Sequence, residues 1–170
     1  MLLLFHKGKN WTHLKDAIEN GLDVNFQDEN GDTIFHHGNY LEYLELAILK
    51  GFDLNSQNHN GDTIFHNDYG YNIVHFKLAI ENGFDINLQN KYGDTIFHMD
   101  NDIDNDILIF AIENGFNCNL QNKYYNTIFH ENVKSKETVK LAIENGFDVN
   151  LQNDNGETIF HYNCYSDNLE

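Results

Sequence analysis

Histidine carries the most obvious chemical potential in this chain: ten are present. Six of them, His6, His36, His66, His98, His130 and His161, recur at near-regular intervals, the last five each closing the tetrapeptide Thr-Ile-Phe-His. Recurring imidazoles could ligate zinc, which takes nitrogen donors at about 2.0–2.1 Å. Regular spacing argues against this, because equivalent residues of stacked helical units lie about 8–10 Å apart. The expectation is therefore no metal and no cofactor. His36-His37 pairs one recurring histidine with a surface neighbour. The run Asp53-Leu54-Asn55-Ser56-Gln57-Asn58 opens like a calcium loop, but an EF-hand needs Gly at its sixth position and Glu at its twelfth. Asn58 and Ile64 stand there, and Asp and Asn bonding local backbone in turns account for the run. No acid/base pair, activated nucleophile or phosphate-cradling glycine loop stands out, so the chain reads as non-enzymatic.

The elements that must position these histidines follow from two landmarks. Thr-Ile-Phe-His begins at Thr33, Thr63, Thr95, Thr127 and Thr158, with spacings of 30, 32, 32 and 31. Ala-Ile followed by two residues and Gly begins at Ala17, Ala47, Ala79, Ala111 and Ala142, with the same four spacings. Two landmarks in one register define a repeat. The expected organisation is a single array over 1–170: a partial unit 1–32, units 33–62, 63–94, 95–126 and 127–157, and a partial unit 158–170. Thr is a good N-cap, so a first short helix should start at each. The segment from Tyr40 to Lys50 places Leu41, Leu44 and Ile48 on one stripe with Glu42 and Glu45 outside it, which predicts a second, amphipathic helix. Gly51 and its equivalents Gly21, Gly83, Gly115 and Gly146 suit a left-handed C-terminal cap. Phe84-Asp85-Ile86-Asn87-Leu88-Gln89 alternates like a short extended strand, and a turn rich in Asn, Asp and Gly leads to the next Thr.

These residues resemble ankyrin repeats, whose period is about 33 and whose signature is T-P-L-H-x-A. Thr95-Ile96-Phe97-His98 matches T-P-L-H, Ala142 to Asn150 matches L-L-x-x-G-A-D-V-N, and Asn90 to Thr95 matches the turn D-x-x-G-x-T. The resemblance implies an all-α, ankyrin-type solenoid of helix-turn-helix repeats with short β-turn fingers. It also implies that the signature pairs Thr33/His36, Thr63/His66, Thr95/His98, Thr127/His130 and Thr158/His161 are structural, each His bonding the Thr hydroxyl and nearby backbone. Three departures stand out. Ile replaces Pro throughout. The alanine pair after His is missing, which predicts short, frayed first helices. Tyr125-Asn126 replaces the turn Gly and Asp, which predicts a distorted turn.

Composition bounds the function. Hydrophobic residues at 41% and aromatics at 14% are enough for an ordered core. Net charge is −17, with no Arg, so nucleic acid is excluded as a partner; a protein partner, a basic one fitting best, is expected. No apolar run is long enough for a signal peptide or a membrane span, and Cys118 and Cys164 suggest no disulfide framework, so an intracellular, cytoplasmic location is expected. Cys118 stands where Val24, Leu54, Ile86 and Val149 stand in other units and reads as a buried small hydrophobe. Leu2, Leu3, Leu4 and Phe5 expose an apolar start, giving a monomer or weak self-association. Ankyrin-like arrays bind partners through finger tips and the concave face. The tips include His59, Asn60, Lys91, Tyr92, Lys123 and Tyr124, with Asp94 just after; Lys91, Tyr92, Lys123, Tyr124 and Tyr125 form one Lys/Tyr cluster, and Tyr favours hot spots. Ordinary solvated tips are the alternative for that cluster. A targeting or regulatory fragment of a larger ankyrin protein, or a degenerate copy without a partner, are the alternatives for function.

Overall fold

A computed structural model describes residues 13–37, 41–66, 73–99, 105–131 and 135–162. His6 and the Leu2–Phe5 start lie outside these residues, as does Cys164. The chain divides into two units, Met1–Asp85 and Ile86–Glu170. The described residues are helical, in agreement with the all-α reading. The first unit holds α1 (Leu14–Glu19), α2 (Leu44–Leu49) and α3 (Ile73–Glu81); the second holds α4 (Ile96–Met99), α5 (Asn105–Glu113), α6 (Ile128–Glu131) and α7 (Lys136–Glu144). Within the first unit α1 packs on α2; within the second α4 packs on α6 and α5 on α7. The first segments of the repeats are single turns: 3-10 turns at Ile34–His37 and Ile159–His161, and the four-residue helices α4 and α6. Residues 64–66 form only a turn. Without small residues after His, a second turn has no room to pack.

Long second helices end as their glycines require. Gly21, Gly51, Gly83, Gly115 and Gly146 all have φ between 84° and 93°. After α5 the Gly115 N–H donates to Ile112 O at 3.1 Å and the Phe116 N–H to Ala111 O at 3.0 Å, the paired bonds of a Schellman cap. The apolar residue after the cap then turns inward. Phe52, Phe84, Phe116 and Phe147 meet the signature Phe35, Phe65, Phe97 and Phe129 at centroid distances of 4.6–4.7 Å. Each such pair joins the two halves of one repeat, and the signature rings are at most 2% exposed. Ala47, Ala79, Ala111 and Ala142 are fully buried beside them.

The expected extended strand is not formed. Among the described residues there is no strand, and the segments after each cap are turns. The reason is local: Asp carboxylates take backbone amides two residues on, as when Asp53 Oδ1 accepts from Asn55 N at 2.9 Å, and fold the segment back. Side chains then make the links between neighbouring repeats that a sheet ladder would make. Asn25 Nδ2 donates to Gly51 O at 2.8 Å while its Oδ1 accepts from Asp53 N at 2.8 Å. Asn55, Asn87 and Asn119 repeat the device one register on. Gln27 bonds Gln57 O, Gln89 bonds Gln121 O and Gln121 bonds Gln152 O, all at 3.1 Å.

The turn at Tyr125-Asn126 is not distorted, contrary to the expectation. Tyr125 adopts φ 58°, the position held by Gly31, Gly61, Gly93 and Gly156 at 73–80°, and the turn bonds Tyr125 N to Asn122 O and Asn122 N to Asn126 O keep 2.9 Å. A side chain in this region costs about 1–2 kcal/mol, which the fixed bonds on both sides absorb. A Cβ at Gly93 would sit 3.0 Å from Asn122 Cα, whereas one at Gly156 would meet nothing within 4 Å. Gly156→Ala should therefore lower stability by about 1 kcal/mol from φ alone, and Gly93→Ala by at least about 2 kcal/mol because backbone must also shift. Urea unfolding followed by circular dichroism checks the order; equal losses would contradict it.

The signature histidines complete the frame. In each described copy the Thr N–H donates to Nδ1 of the His three residues on, at 3.0–3.1 Å. Nδ1 is thus unprotonated, and the neutral ring carries its proton on Nε2. That Nε2–H donates to the carbonyl that closes the repeat, just before the next signature residue: His36 to Asp62 O at 2.9 Å, His98 to Asn126 O and His130 to Glu157 O at 3.1 Å. The Thr hydroxyl lies 2.8–2.9 Å from the same Nδ1 in the four buried copies and accepts the Phe N–H at 3.3 Å in three, the N-cap bond expected of it. Burial lowers the His36 pKa from its ordinary 6.5, outweighing the Asp62 carbonyl and the Asp32 charge that raise it. The unfolded chain therefore takes up this proton first as pH falls, so this stability is fully present above about pH 6.5 and declines below it. Urea midpoints should fall between pH 7.5 and 5.5; a flat or rising profile would contradict the neutral bridge.

Candidate functional site

The exposed candidates sit on the finger tips, and Asx turns aim them. At each tip one Asp or Asn side chain accepts the amides two and four residues on: Asn90 Oδ1 from Tyr92 N at 2.9 Å and Asp94 N at 3.1 Å, Asn122 Oδ1 from Tyr124 N at 3.0 Å and Asn126 N at 3.1 Å. Neighbouring fingers also bond through backbone, Lys123 N to Tyr92 O at 2.8 Å and Asp154 N to Tyr124 O at 3.0 Å. These links fix the spacing of the tips in the second unit.

The outcome is a stack. Lys123 Nζ lies 4.2 Å from the Tyr92 ring centroid and 4.8 Å from that of Tyr124, inside the range of cation–π attraction. Tyr92, Tyr124 and Tyr125 remain 48%, 54% and 57% exposed, and Lys91 is exposed beside them. The structure thus brings the sequence-derived cluster together. Asp94 plays another part: it is half-buried and its Oδ1 accepts from Asn122 Nδ2 at 2.9 Å, binding one finger to the next. His59 and Asn60 are exposed on a tip of the first unit, where His59 N donates to Asn30 O at 2.8 Å.

Sequence reasoning missed one cluster. Asp28, Asp32 and His37 bring potential metal-ligating atoms within 4.8 Å of one another. Asp28 Oδ1 already accepts from Asn30 N and Asp32 N, and Asp32 Oδ1 from Asn58 Nδ2 at 2.7 Å, so the carboxylates are part of the finger wiring. The one signal in the sequence is that Asp28 stands where other fingers carry Asn. The signature histidines lie in separate repeats, with Nδ1 and, for His36, His98 and His130, Nε2 engaged as described.

Cys118 is buried, and burial pushes its thiol up to about 12, leaving almost no thiolate at neutral pH. In a Cys164→Ser variant, DTNB should label the remaining thiol only on unfolding; rapid labelling of the native protein would contradict the packing.

Residues 134–170 match a family model described as ankyrin repeats (many copies). The crystal structure of EF0377, an ankyrin repeat protein, superposes with a TM-score of 0.71 at 21% identity, covering 95% of this chain and 88% of that one. The ankyrin repeat domain of Bcl-3, a member of the IkappaB protein family, gives 0.63 at 20% identity, covering 86% of this chain and 69% of that one. No curated protein matches the chain by sequence. No described helix is long and apolar enough to cross a membrane. With single-turn first segments, Schellman-capped second helices and linked fingers, the chain has the ankyrin-repeat fold, and over residues 134–170 it carries that family's sequence signature.

Proposed function

We propose that this chain binds a partner protein through its finger tips, with the Tyr92–Lys123–Tyr124 stack and Tyr125 as the anchor. The observation that carries the reading is the stack: three largely exposed tyrosines on fingers fixed by Asx turns. Stacking on Lys123 limits the rotamers of two of these rings before binding, which lowers the entropy lost on association. Large aromatic groups on a rigid frame are the usual hot spots of interfaces. The net charge of −17 favours a basic partner, approached by long-range attraction, with the tyrosine faces supplying short-range contact. His59 and Asn60 are a second contact region on the first unit.

Comparative affinity purification tests this. Tagged wild type and a Tyr92→Ala/Tyr124→Ala/Tyr125→Gly variant are exposed to extract of the expressing cells, and bound proteins are quantified by mass spectrometry. Gly at 125 also relieves the left-handed strain, so lost binding does not reflect a weakened finger. A protein retained by wild type should bind the variant at least about 30-fold less, the loss of one 2 kcal/mol hot spot, and its retention should weaken with salt. Unchanged recovery across the pair would overturn the reading.

A further inference from the structure

Seven of the twelve glycines follow asparagine: Asn20, Asn30, Asn60, Asn82, Asn114, Asn145 and Asn155 each precede one. Asn-Gly is the dipeptide most prone to self-attack, since glycine, lacking Cβ, lets its amide nitrogen approach the Asn side chain. All seven asparagines are exposed, so solvent access does not distinguish them. Hydrogen bonding does. Asn20, Asn82, Asn114 and Asn145 end helices, and each Nδ2 donates to the carbonyl four residues back, at 2.6 Å to Asp16 and 2.8 Å to Leu78, Phe110 and Leu141. Their glycines close the helix caps. The side-chain carbonyl carbon is thus tied to the helix, and the peptide that must rotate is part of a cap.

Asn30, Asn60 and Asn155 stand on finger tips instead. Their backbone amides bond Asp28, Asn58 and Asn153 Oδ1 at 2.8–3.0 Å. No side-chain bond ties Asn30 or Asn60 among the described residues, and Asn155 Nδ2 has one long contact, 3.4 Å to Glu157 Oε2. The following glycine N–H makes a single turn bond, at 2.9–3.0 Å.

We propose that Asn30, Asn60 and Asn155 are sites of spontaneous deamidation, and that the helix caps protect the other four. The glycine nitrogen, losing its proton to solvent base, attacks Asn Cγ. The N–Cγ bond forms, the Cγ–Nδ2 bond breaks, and ammonia leaves with a solvent proton, giving a succinimide. Water then adds to either ring carbonyl, yielding aspartate or isoaspartate. Each event adds one negative charge to a chain already at −17. The isoaspartyl product reroutes the backbone through the side chain. At residue 30 this converts the carbonyl that accepts His59 N–H at 2.8 Å into a free carboxylate, so the finger-to-finger link is remade. The fingers bearing Tyr92 and Tyr124 have no Asn-Gly pair and escape the reaction. The modification therefore alters some tips and spares the tyrosine stack.

The folded protein is aged in mildly alkaline buffer made with oxygen-18 water, beside a sample in urea, and both are peptide-mapped by mass spectrometry with isoaspartate detection. In the folded sample Asn30, Asn60 and Asn155 should convert with one heavy oxygen each, and Asn20, Asn82, Asn114 and Asn145 at least roughly fivefold more slowly, the factor of one net hydrogen bond. In urea the seven rates should converge. Equal rates in the folded protein, faster conversion at the caps, or intact tips while the urea sample reacts would each overturn the proposal.

Discussion

A neutral imidazole held between two backbone groups is the interaction on which the rest of this structure depends. His36 accepts the Thr33 amide on one nitrogen and donates to the Asp62 carbonyl with the other. The first bond closes the single-turn helix of its own repeat. The second ties that turn to the finger that ends the repeat and leads into the next one. The first bond is lost if the ring is charged, because a doubly protonated ring has no lone pair for the amide, while Nε2–H can still donate to the carbonyl. His98 and His130 repeat the geometry. The first helices are too short to be stable on their own, so this side-chain staple and the buried Phe hold them.

From that staple outward, side chains do the work of a sheet. Fingers made only of turns leave backbone groups without ladder partners, and unpaired buried groups are costly. The Asn25, Asn55, Asn87 and Asn119 carboxamides satisfy both a carbonyl and an amide of the neighbouring finger, and the Gln series satisfies others. This explains the abundance of Asn in a well-ordered frame. It also explains why positions facing solvent can vary, since the frame is wired independently of them.

Much of this was legible in the residues. Thr-Ile-Phe-His and Ala-Ile-x-x-Gly in one register locate both helices, and each capping glycine has the positive φ that its place implied. The alternation in Phe84-Asp85-Ile86-Asn87 misled, because a period of two also arises where an apolar residue packs and the next caps a turn. Burial follows the pattern, Phe84 and Ile86 inside, but the hydrogen bonds do not. Tyr125 misled for another reason: propensity disfavours its left-handed conformation, while the bonds on either side of it impose that conformation. The cluster of Lys91, Tyr92, Lys123, Tyr124 and Tyr125 was visible from adjacency and period. That Lys123 Nζ reaches both the Tyr92 and Tyr124 rings was not, because the offset between consecutive fingers sets it. Asp94 looked like a contact residue just after a tip, yet its carboxylate accepts from Asn122.

The neutral staple is most directly tested by long-range proton–nitrogen NMR of the imidazoles near neutral pH. His36, His98 and His130 should each show one tautomer, with the proton on Nε2 and Nδ1 as a bare acceptor. Proton on Nδ1, or averaged nitrogen shifts typical of solvent-exposed rings, would contradict this account of how the repeats are held.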